Sequence, residues 1–126
     1  MNQPAVAASW RGRRRLALAG LIVSIACLAS GLVLAVINLR SPGAPPLDGN
    51  GVSGAFMALT YGGIGWLVAS RQPQNAVGWI LMTVGLAEAV ETFTSSAAVH
   101  GQITAPGSIP YADILVWLAL WAWVPG

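Results

Sequence analysis

Charged residues are scarce in this sequence, and lysine is absent. Six arginines and four acidic residues make up 8% of the 126 residues, whereas 56% are hydrophobic. Soluble domains usually carry about 25% charged residues, and a small soluble domain leaves a large part of its surface in water. The composition therefore argues against an ordinary soluble enzyme and predicts that lipid surrounds much of the chain.

Residues that bind metals or carry out catalysis are equally rare. A single cysteine, Cys27, excludes an internal disulfide and a thiolate metal cluster. A single histidine, His100, cannot supply both axial ligands of a haem, and its position predicts a solvated loop residue. No nucleophile–base pair or metal-ligand spacing is visible, and no glycine-rich phosphate loop precedes a lysine. The sequence therefore predicts no catalytic residue, no metal and no cofactor.

Long apolar runs are what the sequence has in abundance. The first run is about 24 residues long and would reach about 36 Å as a helix, which is enough to cross a hydrocarbon core of about 30 Å. It is also longer than the apolar part of a signal peptide, about 7–15 residues, so we interpret it as a retained span. The predicted fold class is all-α, an integral membrane bundle of four transmembrane helices, with the fourth cut short. The spans cover about 16–39, 52–70, 76–98 and 111–126.

The arginines predict the direction of these spans. Four of them lie in "RGRRR", immediately before the apolar run that begins at Leu16. A basic cluster in this position favours a membrane flank over nucleic-acid binding, and cytoplasmic loops are enriched in arginine. We therefore expect a basic cytoplasmic N-terminus over residues 1–15 and a transmembrane domain over 16–126. Alternating spans would place Arg71 on the cytoplasmic side and Arg40 outside.

A short polar turn separates the second and third apolar runs. Pro73 fixes φ for a turn, and Asn75 is a favourable N-cap for the helix that follows. Tryptophan is enriched at membrane interfaces, which predicts that Trp79 lies near the inner surface. A tight membrane hairpin with aromatic anchors explains every residue of the turn.

The sequence of this turn resembles a segment of the N-terminal membrane region of bacterial sensor histidine kinases. In that family a span ends in small residues and arginine, a turn with proline and asparagine follows, and a Gly-Trp pair opens the next span. The stretch "GWLVASRQPQNAVGWILMTVGL" is similar to this pattern, and "VWLALWAWVPG" resembles the later tryptophan-rich span. Ala76 departs from the family, which often has proline there. The matching residues are Arg71, Pro73, Asn75, Gly78 and Trp79.

The resemblance implies a membrane-embedded sensory or anchoring domain of a two-component system. It implies a multi-pass protein of the bacterial inner membrane, a homodimer, and a response regulator reached through a kinase region that this chain lacks. Phosphotransfer needs a soluble helix with a reactive histidine and a nucleotide-binding domain. Kinase activity is therefore expected only if such a region is attached, and the coding sequence after Gly126 is expected to supply it.

Acidic residues in the third run are the strongest functional candidates. Glu88 and Glu91 lie three residues apart and so project from the same helix face, which Thr92 and Ser95 extend. A carboxylate within a span is expensive and is by default a functional-site hypothesis. The plainer alternative is a structural role, with Glu91 reaching the surface and Glu88 bonded to a neighbouring helix. Asp113 either caps the fourth helix or joins the two glutamates.

Small residues in the second run predict close helix packing. Gly54, Ala58 and Gly62 recur every four residues, a spacing that allows helix backbones to approach in lipid.

Two other functions remain open. Four spans with membrane carboxylates suggest a small proton-coupled transporter, although small multidrug exporters carry their glutamate in the first span. The other is a non-catalytic membrane subunit that binds a protein partner.

Overall fold

The computed structural model describes residues 3–43, 45–46 and 49–122, and most of these residues are helical. After Val99 the chain forms a five-residue π-helix, His100–Thr104, which continues the preceding α-helix directly. No strand occurs in these described residues, so the all-α prediction is confirmed for them. The α-helices are α1 (Gln3–Leu39), α2 (Gly49–Arg71), α3 (Ala76–Val99) and α4 (Ala112–Ala122).

Three of the helices are long and apolar enough to cross a membrane, namely Trp10–Leu39, Gly51–Arg71 and Ala76–Thr104. Helix α4 has 11 residues and so covers about 16 Å, roughly half of a hydrocarbon core. The membrane prediction is therefore supported for three spans and not for a fourth. The last four residues of the fourth predicted span, 123–126, lie outside the described residues.

Helix α1 begins well before the apolar run. It includes the basic segment, because arginine and alanine are good helix formers and no glycine pair or proline interrupts the chain after Pro4. The helix ends at Leu39, just before Pro42 and Gly43, whose φ of 84° is a left-handed value that glycine adopts without strain. The basic residues thus belong to the same continuous helix as the first apolar run.

The contacts between helices show that α1 and α3 run parallel. Asn38 contacts His100, 62 residues later, and the pairs Gly20–Met82 and Gly31–Phe93 have the same separation. Parallel packing with an unchanged register requires that α1 and α3 cross in the same direction.

Helix α2 runs antiparallel to α3. Ala69 lies against Gly78, Gly65 against Met82, and Gly62 against Gly85. Residue numbers therefore decrease along α2 as they increase along α3. The two ends of the bundle therefore differ. We name the end that carries residues 11–15 and the α2–α3 turn the arginine-rich end, and the end that carries the π-helix the histidine end.

Small side chains form the interior, while large apolar side chains lie on the outside. One buried cluster joins Ala17, Ala69 and Met82, with Trp66 and Trp79 packed against it. A second joins Leu28, Ala58 and Ala89, with Cys27 beside it. By contrast, Phe56 and Ile80 are 69% and 61% exposed. Small interior residues with apolar periphery are typical of helices that associate in lipid.

Candidate functional site

Pro73 is the centre of the α2–α3 turn. The residue is fully buried, and its carbonyl oxygen accepts hydrogen bonds from Trp79 Nε1 at 3.1 Å and from Arg13 Nη1 at 3.0 Å. Asn75 caps α3, because its Oδ1 accepts from the backbone nitrogen of Val77 at 3.0 Å. One carbonyl therefore ties the basic part of α1 to the turn.

The remaining residues of the turn motif set how closely α2 and α3 approach. A methyl group at Gly78 would lie 2.7 Å from the backbone nitrogen of Ala69, so only glycine allows this contact. Arg71 is exposed in the last turn of α2, where a cation interacts favourably with the helix dipole. Each motif residue thus has a structural task in the turn.

The Trp79–Pro73 hydrogen bond can be tested against a neighbouring indole. Trp79→Phe is expected to lower the free energy of unfolding by about 1 kcal/mol more than Trp66→Phe, since a net hydrogen bond contributes about that much. Both indoles pack against the same buried cluster, so the loss of ring area is shared. Unfolding by dodecyl sulfate in mixed micelles measures the difference, and equal effects would contradict the role assigned to Trp79.

Glu88 and Glu91 face α2 at the position where α2 has no side chain. A methyl group at Gly54 would lie 3.4 Å from Glu88 Oε2, 3.5 Å from Glu91 Oε2 and 3.5 Å from Thr92 Oγ1. Both glutamates are half-buried and Thr92 is buried. Three oxygen atoms from one face of α3 therefore converge on one glycine of α2, within the interface of the two helices.

Hydroxyl groups on α3 bond to the backbone of Glu88 and to the carboxylate of Glu91. Thr92 Oγ1 donates to the Glu88 carbonyl at 2.9 Å, and Ser95 Oγ donates to Glu91 Oε1 at 3.3 Å. Asp113 is placed differently, because it is exposed in the first turn of α4 and accepts from Gln102 Nε2 at 2.9 Å. Among the described residues, no group of three or more His, Cys, Asp or Glu side chains is arranged to hold a metal ion.

The small residues of α2 lie along the same interface. Gly54 faces the carboxylates, and Ala58 is buried, with its carbonyl oxygen close to Gly85. The backbone of Gly62 also lies against Gly85, whereas a methyl group on Gly62 itself would meet nothing within 4 Å. Gly85, which the sequence did not single out, is therefore the more constrained of the two glycines.

A polar network at the histidine end was missed by sequence reasoning. Asn38 of α1 is buried, and its Nδ2 donates to the Ser96 carbonyl at 2.9 Å. This bond assigns the amide orientation, so Asn38 Oδ1 is the acceptor for Thr104 Oγ1 at 2.9 Å and for His100 Nδ1 at 2.9 Å. His100 Nδ1 is accordingly the donor in this hydrogen bond.

The π-helix follows α3 directly and places Thr104 beside His100, whose contact with Asn38 keeps the register of the α1–α3 pair. The Ala105 nitrogen donates to the His100 carbonyl at 2.8 Å, which closes a turn one residue wider than an α-helical turn. Our expectation that His100 is a solvated loop residue is wrong, because it is half-buried and bonded to α1. A lone asparagine near the end of an apolar run was the available signal.

The chain matches no protein-family model, no curated protein and no solved structure. Its function must therefore be argued from the carboxylate pair, the α2–α3 turn and the polar network themselves.

Proposed function

We propose that this chain is a membrane-embedded sensory domain that passes a change in helix packing to a cytoplasmic output. The output is of the sensor histidine kinase class that the resemblance implies. The observation that supports the proposal is the convergence of Glu88, Glu91 and Thr92 on Gly54 between α2 and α3. A cost of about 2.5–3.5 kcal/mol for an acidic residue in mid-span makes such a pair a functional candidate.

The position of the pair explains how a stimulus could act. Gly54 places no side chain between the two carboxylates and the α2 backbone, so any change in their charge or hydrogen bonding acts directly on the α2–α3 contact. Helix α3 also packs against α1 and α4. A shift of α3 would therefore reach α4, and α4 starts at the histidine end of the bundle.

The proposal includes an orientation and partners. The arginine-rich end faces the cytoplasm of a bacterial cell, with the chain in the inner membrane, as the enrichment of arginine in cytoplasmic segments favours. The protein acts as a homodimer, and it reaches a response regulator through the kinase region. We expect the coding sequence after the codon for Gly126, or an adjacent gene, to encode dimerisation helices and an ATP-binding domain; finding neither would contradict the proposal.

The functional test is autophosphorylation of that kinase together with this chain in proteoliposomes. Glu88→Gln and Glu91→Gln are expected to fix the output at one level and to change the phosphorylation rate at least about fivefold, the lower range of allosteric coupling. Thr83→Val is the control, since Thr83 lies on α3, is exposed, and bonds its hydroxyl to the Trp79 carbonyl of its own helix.

Two results would count against sensing. Equal phosphorylation rates in the wild type and both glutamine variants would remove the role of the carboxylate pair. Uptake into liposomes that is driven by a pH gradient and abolished by Glu88→Gln would instead assign the pair to proton-coupled transport.

A further inference from the structure

The arginine side chains of α1 project from different sides of the helix. Because α1 is a continuous helix through the basic segment, its side chains follow a period of about 3.6 residues. Arg13 bonds to Pro73 and so faces the bundle, and the buried residues Ala17 and Ser24 follow four and eleven positions later on the same side. Arg13 is therefore the arginine that holds α1 against the turn.

The other three arginines, Arg11, Arg14 and Arg15, lie on the opposite side of α1. At about 100° per residue they fall within one arc of about 100°, centred roughly opposite Arg13. All three side chains are exposed. Their shared direction is away from α2 and α3.

This arginine face continues into an exposed apolar face of α1. Leu18, Ile22 and Ile25 follow on the same side and are 47%, 57% and 51% exposed. The apolar run begins at Leu16, so the Cα atoms of the three arginines lie within about 8 Å of its start along the helix axis. The polar layer on each side of a bilayer is about 5–8 Å thick. A hydrocarbon boundary at Leu16 therefore puts the three arginines at the depth of the headgroup layer.

We propose that Arg11, Arg14 and Arg15 form a binding surface for anionic phospholipids. The positive charge has no local counter-charge in the sequence, because the first acidic residue is Asp48. Guanidinium groups pair with phosphate through two parallel hydrogen bonds, and the adjoining apolar face accommodates the acyl chains of the same lipid. This surface does not depend on a sensory role for the protein.

Native mass spectrometry of the full chain in mild detergent tests the proposal, with phosphatidylglycerol and phosphatidylcholine added in turn. We expect preferential retention of phosphatidylglycerol. Replacing all three arginines by glutamine should weaken this retention at least about tenfold, since each arginine near an anionic surface contributes about fivefold. The triple lysine variant keeps the charge and should retain most of the preference.

Single variants provide the matched controls. Arg14→Gln should weaken phosphatidylglycerol binding severalfold, whereas Arg40→Gln, at the other end of α1, should not. Equal retention of the two lipids, or equal effects of Arg14→Gln and Arg40→Gln, would overturn the proposal. So would displacement of the lipid by millimolar inorganic phosphate, or tighter binding of a short RNA, because the surface would then recognise a free anion or a nucleic acid.

Discussion

Replacing Gly85 by alanine is expected to lower the free energy of unfolding by about 2–3 kcal/mol, the upper range for overpacking a close-packed site. The added methyl group would lie 2.6 Å from Gly62 Cα and 3.1 Å from the Ala58 carbonyl oxygen, with the Gly62 nitrogen closer still. These are backbone atoms of α2, so a side-chain rotation cannot relieve the clash. The helices must separate, and the interface that holds the carboxylate pair would open.

Gly62→Ala is the matched control for this prediction. It makes the same change in the facing helix, but the new methyl group would meet nothing within 4 Å. Alanine also favours helix over glycine by about 0.8–1.0 kcal/mol, so Gly62→Ala is expected to be neutral or slightly stabilising. Unfolding by dodecyl sulfate in mixed micelles measures both variants. A similar loss in both would show that α2 and α3 do not meet at Gly85.

Asn38→Ala is expected to lower the free energy of unfolding by about 2–3 kcal/mol. The variant loses the bond to the Ser96 carbonyl and the acceptor for His100 and Thr104, and each hydrogen bond contributes about 0.5–1.5 kcal/mol. The double variant Asn38→Ala/His100→Ala should lose less than the sum of the two single losses, since both remove the same contact.

Ser24→Ala is the control for Asn38→Ala. Both residues are buried polar residues of α1, but the Ser24 hydroxyl bonds to the Gly20 carbonyl of its own helix at 3.0 Å. Its loss should cost about 0.5 kcal/mol or less, because no contact between helices is removed. If the two variants are equally stable, or if the losses of Asn38→Ala and His100→Ala add fully, the network does not join α1 to the end of α3.

Composition and local spacing were enough to predict three of the four spans and the shared face of Glu88 and Glu91, whereas the fourth span is not supported because α4 has only 11 residues. Both depend on neighbours within one helix, and apolar runs without charge leave few alternatives to helices in lipid. The sequence did not predict that α1 begins before the basic segment, because arginine-rich flanks are compatible with helix or coil.

Contacts between distant parts of the chain were beyond sequence reasoning. Asn38 and His100 are 62 residues apart, and nothing in their local sequences pairs them. The π-helix adds one residue to a turn and so changes the direction of every side chain after it, while the sequence predicted a loop at His100. Gly85 was missed for a related reason, since the face of α3 that meets α2 is defined only by the packing.

The alternating arrangement of α1, α2 and α3 across a membrane is the claim on which the whole account depends. Single cysteines at Gln74 and Gln102, in a Cys27→Ala background, test it most directly in intact cells with a membrane-impermeant maleimide. Both positions are exposed and lie at opposite ends of the bundle. We expect the cysteine at 102 to react in intact cells and the cysteine at 74 to react only after the membrane is permeabilised. Reaction of both positions from the same side would contradict the account.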